Sequence, residues 1–345
     1  MAKLTFTEIR KRVESEADAY YFLEQLRWKD GVICPHCDNT KAYFLNPANG
    51  KSRATRTGAT SQRRVWKCAA CRKQFSVLTG TIFHGTKVPI AIWLFVMVDM
   101  CSDKNGISAR EVQRKYGVTV ETAWHMLHRL REAMKRDPLA GVLKGTIVAD
   151  ETYVGGDPKN RHASKKSLDN VVPVKITPGT PRPSQFTAKT PVLALVNTET
   201  GEVRGEVVTE TTVTGSTINK FLGNHVDMAN SVLHTDESSL YPPVSGQFAD
   251  HQTVNHGQKE YVRGGVSTNL AEGSFSQLKR SIDGTHHSVS PAHLHRHVNE
   301  FAFRRTTCKM EDNARLQLMI DQAAGKRLTY KPLTAGWWRK AQVTN

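Results

Sequence analysis

The chain has 345 residues, room for two or three domains, and carries 48 Lys and Arg against 32 Asp and Glu, a formal net charge of +16. A surface of that sign attracts polyanions, of which nucleic acid is the commonest. No run of about 18 apolar residues occurs. The opening MAKLTFTEIRKRVESEADAY lacks the apolar centre of a secretory leader. A membrane-spanning helix is excluded, and the expected compartment is the cytoplasm.

Residues 1–30 read as a helical lead-in. Residues 31–80 then contain two close cysteine pairs, Cys34-Pro-His-Cys37 and Cys68-Ala-Ala-Cys71, with thirty residues between them. Each CxxC turn delivers two thiolates to one side of an ion, and two such turns complete the tetrahedron that Zn²⁺ requires. Disulfides are the bland alternative, disfavoured in a reducing compartment. Cys101 and Cys308 are left over and read as ordinary buried thiols. From Asn39 to Phe75 the ribbon contains Lys41, Lys51, Arg53, Arg56, Arg63, Arg64, Lys67, Arg72 and Lys73 and no acid, a composition suited to phosphate. Arg53, Arg56, Arg63, Arg64 and Lys67 are the candidate DNA contacts. Tyr43, Phe44, Trp66 and Phe75 would form the small core, with stacking on a base as the other role open to one of them.

Residues 81–137 form a helical region. The apolar run VPIAIWLFVMVDMC over 88–101 is too short to cross a bilayer and predicts a buried helix. In the next stretch Ser108 can cap a helix with Glu111 three residues on, and Gly117 lies in the turn. A second helix starts at Thr119 or Val120 and places Ala123, Met126, Leu127 and Leu130 on one face. This is a helix-turn-helix pattern, with a plain helical hairpin as its alternative; Arg129 and Arg131 are the candidate DNA contacts of the second helix.

From 138 to 310 the pattern changes to strands. Lys144–Asp150 is a short β-rich run ending in an acid, and Glu151–Gly156 reads as a turn. A basic, proline-interrupted insertion, 157–190, contains Lys165 and Lys166, which would either meet DNA or sit on the surface. Residues 191–197 and 202–208 predict a hairpin around Thr198–Gly201. Residues 215–227 predict a helix, and 231–235 a strand ending at Asp236. Strand, hairpin, helix, strand suits an α/β domain with a mixed sheet flanked by helices, whose functional side chains gather at strand ends. In STNLAEGSFSQLKR, Ala271, Phe275, Leu278 and Ile282 follow helical spacing, and Asn269, Glu272, Ser276 and Lys279 share an adjacent stripe. Taken alone, Asn269 and Glu272 also suit a helix-capping pair. Residues 311–345 form a C-terminal tail with Trp337 and Trp338.

Taken together, CPHC, CAAC, FSVLTGTIF, ADETYVGG, HTDESSLY, VNHGQKEYV, STNLAEGSFSQLKR and HLHRHVNEFAFR, in this order, resemble bacterial insertion-sequence transposases with an N-terminal zinc ribbon and an ISXO-type DDE domain. The resemblance covers nearly the whole chain. It implies an RNase H-like fold, an acidic triad of Asp150, Asp236 and Glu272, and Lys279 as the accompanying base. Thirty-five residues lie between the second and third acids, a familiar interval in such enzymes, and relatives with Asn in third place make Asn269 the competing assignment. Carboxylates are hard oxygen ligands suited to Mg²⁺ or Mn²⁺. The implied partners are double-stranded terminal-repeat and target DNA, with Arg280 as a further contact, and a second copy of the chain in a homodimer or higher oligomer. The implied reaction is strand cleavage followed by strand transfer. Two other readings share the DNA affinity: a metal-dependent nuclease or resolvase without strand transfer, and a DNA-binding regulator with an inert acidic domain. Glu151 carries less weight than Asp150, since neighbours on a strand face opposite ways. The histidines His286, His287, His293, His295 and His297 read as loop or DNA-facing rather than as a metal cluster.

Overall fold

The computed structural model describes residues 6–45, 53–54, 60–136, 141–155, 189–208, 213–258, 260, 262–264, 266–331 and 333, with residues 53, 54, 60, 61 and 256 described by backbone alone. Arg56, Lys165, Lys166, nearly all of the basic insertion, Trp337 and Trp338 lie outside the described residues. The chain divides into two compact units, one of residues 1–137 with 307–345 and one of residues 138–306.

In the first unit, α1 (Phe6–Arg12) and α2 (Glu16–Arg27) precede the ribbon. Ser15 and Asp18 start α2 with a reciprocal capping box, which satisfies two amides that the first turn leaves open. The ribbon is a three-stranded antiparallel sheet in the order β1 (Ala42–Phe44), β4 (Trp66–Cys68), β5 (Gln74–Phe75), with a separate two-stranded pair of β2 (Arg53–Ala54) and β3 (Thr60–Ser61). The predicted apolar helix is α3 (Ile90–Ser102), with Trp93, Leu94, Met97 and Met100 fully buried. The helix pair follows as α4 (Ala109–Tyr116) and α5 (Val120–Ala133). The Ser108 hydroxyl accepts from the amide of Glu111, Gly117 sits at φ 69° where a side chain would be strained, and the Thr119 hydroxyl accepts from the amide of Thr122. After the second unit the chain returns, and the last long helix, Asp312–Asp321, joins the first unit: Arg315 donates to the Cys101 carbonyl and Gln317 to that of Leu26.

The second unit is a five-stranded mixed sheet in the order β10-β9-β6-β7-β8, an RNase H-like arrangement with helices on both faces. The long central strand β6 (Leu143–Val154) pairs antiparallel with β7 (Thr190–Asn197), which pairs antiparallel with β8 (Val203–Val207). Gly201, at φ 72°, closes the hairpin turn, while the Asn197 side-chain oxygen accepts the amides of Glu199 and Thr200. On its other side β6 runs parallel to β9 (Val226–Thr235), which runs parallel to β10 (Asp250–Thr253).

Alternation along the strands sorts the two cores. Ile147, Ala149, Leu193, Leu195 and Leu233 pack on one face with Ile218, Phe221 and Leu222 of α6 (Gly215–His225) and with Val244 of the single turn α7 (Pro242–Ser245). Val148, Val154, Val192, Ala194 and Val196 pack on the other with Ala271, Phe275 and Leu278 of α8 (Asn269–Arg280) and Leu294 and Val298 of α9 (Pro291–Thr306). Gly205 is required here, because a Cβ at that position would lie 2.6 Å from the Val298 side chain. Several elements differ from the sequence reading: the helix expected over 215–227 ends at His225, and the strand expected from 231 begins at Val226. The strand holding Asp150 does not turn at Glu151 but continues to Val154, since the β-favouring Thr152, Tyr153 and Val154 pair with Val192, Pro191 and Thr190. The edge strand DHQT is invisible in the sequence because it carries no apolar alternation; its order comes from pairing with β9.

Candidate active site and metal centre

Parallel pairing of β6 with β9 ends at Val148 opposite His234. Two residues further along each chain bring Asp150, still inside β6, level with Asp236, just past the end of β9, on neighbouring strands whose spacing is about 4.8 Å. By alternation Asp150 shares the face of Val148, the face that α8 covers through Ala271 and Phe275. Glu272 is in the first turn of α8 on that same side, and the buried Thr268 hydroxyl donates to its Oε1 at 3.2 Å. The Asp150 carboxyl is pushed up to about 7, first by burial and then by the negative charges of Glu151, Asp236 and Glu272 around it. The amide of Glu151 holds Asp150 Oδ1 at 2.8 Å, and the amide of Ser238 holds Asp236 Oδ1 at 3.0 Å. The ligand oxygens of the three acids do not close into one cluster within 4.8 Å of each other.

The carboxylate set is all hard oxygen, it faces one side of the sheet, and its mutual repulsion is relieved by a divalent cation; on those grounds Asp150, Asp236 and Glu272 fit Mg²⁺ or Mn²⁺. Asn269 is the first residue of α8 and is exposed; its amide donates to Ser267 Oγ. The N-cap of α8 is Thr268, not Asn269, and it makes no side-chain cap hydrogen bond, so Asn269 does not cap the helix in the way the sequence offered as an alternative. Lys279 and Arg280 are exposed near the other end of the same helix, with Arg280 Nε donating to the Ser276 carbonyl.

Glu151 points to the opposite face, and there it has a part that the sequence did not reveal. Its Oε2 accepts from the hydroxyl of the buried Tyr241 at 2.7 Å, and its Oε1 lies 3.5 Å from Ser238 Oγ. The strand of Asp150 is thereby fastened to the loop that follows Asp236. Tyr241 was hidden in the sequence because nothing local to SSLYPP announces a partner ninety positions away.

The four cysteines meet as their spacing predicts. Cys34 Sγ lies 3.7 Å from Cys71 Sγ and Cys37 Sγ 3.6 Å from Cys68 Sγ, and no disulfide links any of them. A tetrahedron with Zn–S bonds of about 2.3 Å has edges of about 3.8 Å, so the donor set fits Zn²⁺ as it stands. The amides of Cys71 and Ala70 point at Cys68 and draw its thiol down to about 7, toward the thiolate that a metal needs.

The candidate DNA contacts separate into two kinds. Arg64 Nε bonds Glu24 at 2.7 Å and its guanidinium lies over the rings of Phe44 and Tyr21, so it ties the ribbon to α2. Arg63 donates to Ser76 Oγ from an exposed position, and Lys67 is half-buried opposite the exposed Tyr43. Arg53 is placed by its backbone in β2. Arg129 and Arg131, by contrast, are 5% and 2% exposed. Arg129 donates to the His84 carbonyl and covers the Trp93 ring, and burial lowers its pKa to about 10. These two arginines are interior groups of the first unit, not surface cations. In sequence their charge outweighed their position on the helix, although they are interleaved with Met126, Leu127, Leu130 and Ala133, which the core requires.

Residues 142–306 match the family described as ISXO2-like transposase domain, and residues 14–74 match the transposase zinc-ribbon domain. The two matched segments are similar to the catalytic-family domain of ISXO2-like transposases and to the transposase zinc ribbon. An uncharacterized protein in the transposable element ISH50 of Halobacterium salinarum is 26% identical over 314 residues, 91% of this chain and 98% of that protein. The second unit, residues 138–306, coincides with the segment that matches the ISXO2-like transposase domain to within a few residues at each end. Among the described residues no helix is long and apolar enough to cross a membrane.

Proposed function

We propose that this transposase binds the terminal repeats of its element, cleaves a DNA strand there and joins the released 3′-hydroxyl to target DNA. What supports the reading is that the β6–β9 register brings Asp150 level with Asp236 and that Asp150 is raised to about 7 by burial and then by the charges of Glu151, Asp236 and Glu272. In the first step a water oxygen attacks the scissile phosphorus and the 3′-oxygen leaves, taking a proton. In the second that 3′-oxygen attacks a target phosphorus and a target 3′-oxygen leaves, so one phosphodiester is exchanged for another without a covalent enzyme intermediate. Two Mg²⁺ or Mn²⁺ ions held by the three acids would activate the attacking oxygen and stabilise the leaving one.

The chain's own groups supply placement. The amides of Glu151 and Ser238 hold Asp150 and Asp236, and the Thr268 hydroxyl orients Glu272. Lys279 and Arg280, exposed on α8, would contact backbone phosphates beside the scissile bond. The ribbon, with Arg63 and Lys67 outward and Zn²⁺ between its cysteine turns, and the exposed start of α5 would engage the duplex. Two element ends must be handled together, which a homodimer on DNA would accomplish.

The test combines a supercoiled plasmid, a labelled terminal-repeat duplex and Mg²⁺. Cleavage with joining is the expected result. Cleavage alone would reduce the assignment to a nuclease, and binding alone to a regulator.

A further inference from the structure

The turn that ends α8 is wider than an α-helix. Residues Ser281–His286 form a π turn, and His287 after it sits at φ 59°. π turns inside helices recur at functional sites because they re-aim a side chain that regular winding would point elsewhere. Here the turn brings His286 to α9, where His297 and Glu300 stand one helical turn apart on one face. The imidazoles of His286 and His297 meet edge to face with centroids 4.6 Å apart. One ligand atom from each of His286, His297 and Glu300 lies within 4.8 Å of the other two. Glu300 is 3% exposed and His297 9%.

We propose that His286, His297 and Glu300 form a second transition-metal site in this chain, one that takes a zinc-class divalent ion and fastens the end of α8 to α9. Two imidazoles and a carboxylate are the donor set of such an ion, whereas Mg²⁺ prefers oxygen alone. Ligands at about 2.0–2.1 Å from a tetrahedral ion lie roughly 3.4 Å apart, so the three side chains close by about 1.4 Å at most. Arg304 donates to Glu300 Oε1 at 2.7 and 3.1 Å, which fixes the carboxylate plane in the way that outer partners of metal ligands do. The site is separate from the cysteine tetrahedron, and it shares no residue with Asp150, Asp236 and Glu272; its existence stands apart from the cleavage reading. Its consequence would reach them through α8, since that helix carries Glu272 at one end and the π turn at the other.

Zinc per chain, measured by elemental analysis on the full-length protein after dialysis against zinc and then buffer, tests the proposal. Two zinc ions per chain are expected in the wild type. One should remain in His286→Asn, in His297→Gln and in Glu300→Gln, and one in Cys34→Ser. His286 is half-buried, so its variant keeps the test valid if the substitutions in α9 prevent folding. Cobalt replacement adds a spectroscopic signature: the histidine site should give ligand-field bands without the thiolate charge-transfer absorption of the ribbon, and His286→Asn should remove only the former. A wild type that holds one zinc, lost entirely in Cys34→Ser, overturns the proposal, as does a second zinc that survives in His286→Asn.

Discussion

The cysteine tetrahedron and the carboxylate trio are both ligand sets, built in opposite ways. The cysteines come from two tight turns, and their sulfur atoms already stand 3.6 and 3.7 Å apart, close to the edges of a ZnS₄ tetrahedron. The carboxylates come from two strands and a helix over residues 150–272, and they remain too far apart to share one ion, while burial and then the neighbouring acids raise the proton affinity of Asp150. A local knuckle can be pre-formed because its tight turns bring the sulfurs together and the raised thiols of Cys34 and Cys37 stay neutral until metal arrives. A catalytic acid cluster is held together by the fold against its own charge. The first is a structural site and the second, on the proposed reading, a working one.

Removing a ribbon ligand should have the largest effect. Structural zinc contributes on the order of 10 kcal/mol in small ribbons, so Cys34→Ser should abolish ribbon zinc and melt the ribbon, visible as lost shift dispersion for residues 31–75. A ribbon that stays folded and keeps its zinc would break the comparison from the cysteine side.

Asp150→Asn should separate function from stability. A group whose folded pKa is raised, here from 3.8 to about 7, binds a proton more tightly in the folded than in the unfolded chain. Between those values the folded state therefore loses stability as pH rises, by about 4 kcal/mol at most when metal is absent. Asn removes that penalty. The metal-free variant should melt several degrees higher than wild type at pH 8 and no higher at pH 4, while DNA cleavage falls by at least a thousandfold. Equal melting at pH 8 would show that the acid is not held against its charge. For the wild type, cleavage should rise with pH, with a midpoint below about 7 that moves lower as Mg²⁺ is raised, because the cation competes with the proton for Asp150.

The third acid sharpens the contrast between Glu272 and its neighbour. Glu272→Gln should lose cleavage by a hundredfold or more, whereas Asn269→Ala should change it by less than tenfold; the reverse pattern would transfer the assignment to Asn269. A smaller effect separates the two kinds of arginine. Arg129→Ala should destabilise the first unit by about 2–3 kcal/mol through loss of its bond to His84 and its place over Trp93. Arg280→Ala should leave stability within about 0.5 kcal/mol and lower the salt dependence of DNA binding by roughly one phosphate contact.

What could be read from the sequence follows the range of the interactions. The helix pair was legible down to its caps, because Ser108, Gly117 and Thr119 act within a few residues of themselves. The hairpin around Thr198–Gly201 and the buried helix over 88–101 were legible for the same reason, since turn chemistry and apolar periodicity are local. Convergence of Asp150 with Asp236 was expected from strand ends, and the register of β6 on β9 supplies the physical ground for it. The edge strand DHQT, the extension of β6 to Val154 and the tie from Tyr241 to Glu151 were not legible, because partners distant in sequence decide them. Nor did charge reveal the direction of Arg129 and Arg131, or the acid on α2 that engages Arg64. The histidine group needed the π turn, which no local pattern announces, and it needed Glu300, which in sequence reads as one more helix acid.

Binding of Mn²⁺ to the full-length protein, followed by electron paramagnetic resonance at pH 8, bears most directly on the carboxylate trio. Wild type should bind Mn²⁺, and Asp150→Asn, Asp236→Asn and Glu272→Gln should each weaken that binding at least tenfold while the ribbon keeps its zinc. Undiminished Mn²⁺ binding in any one of the three variants would contradict the assignment of that residue, and undiminished binding in all three would remove the cation site from this face of the sheet.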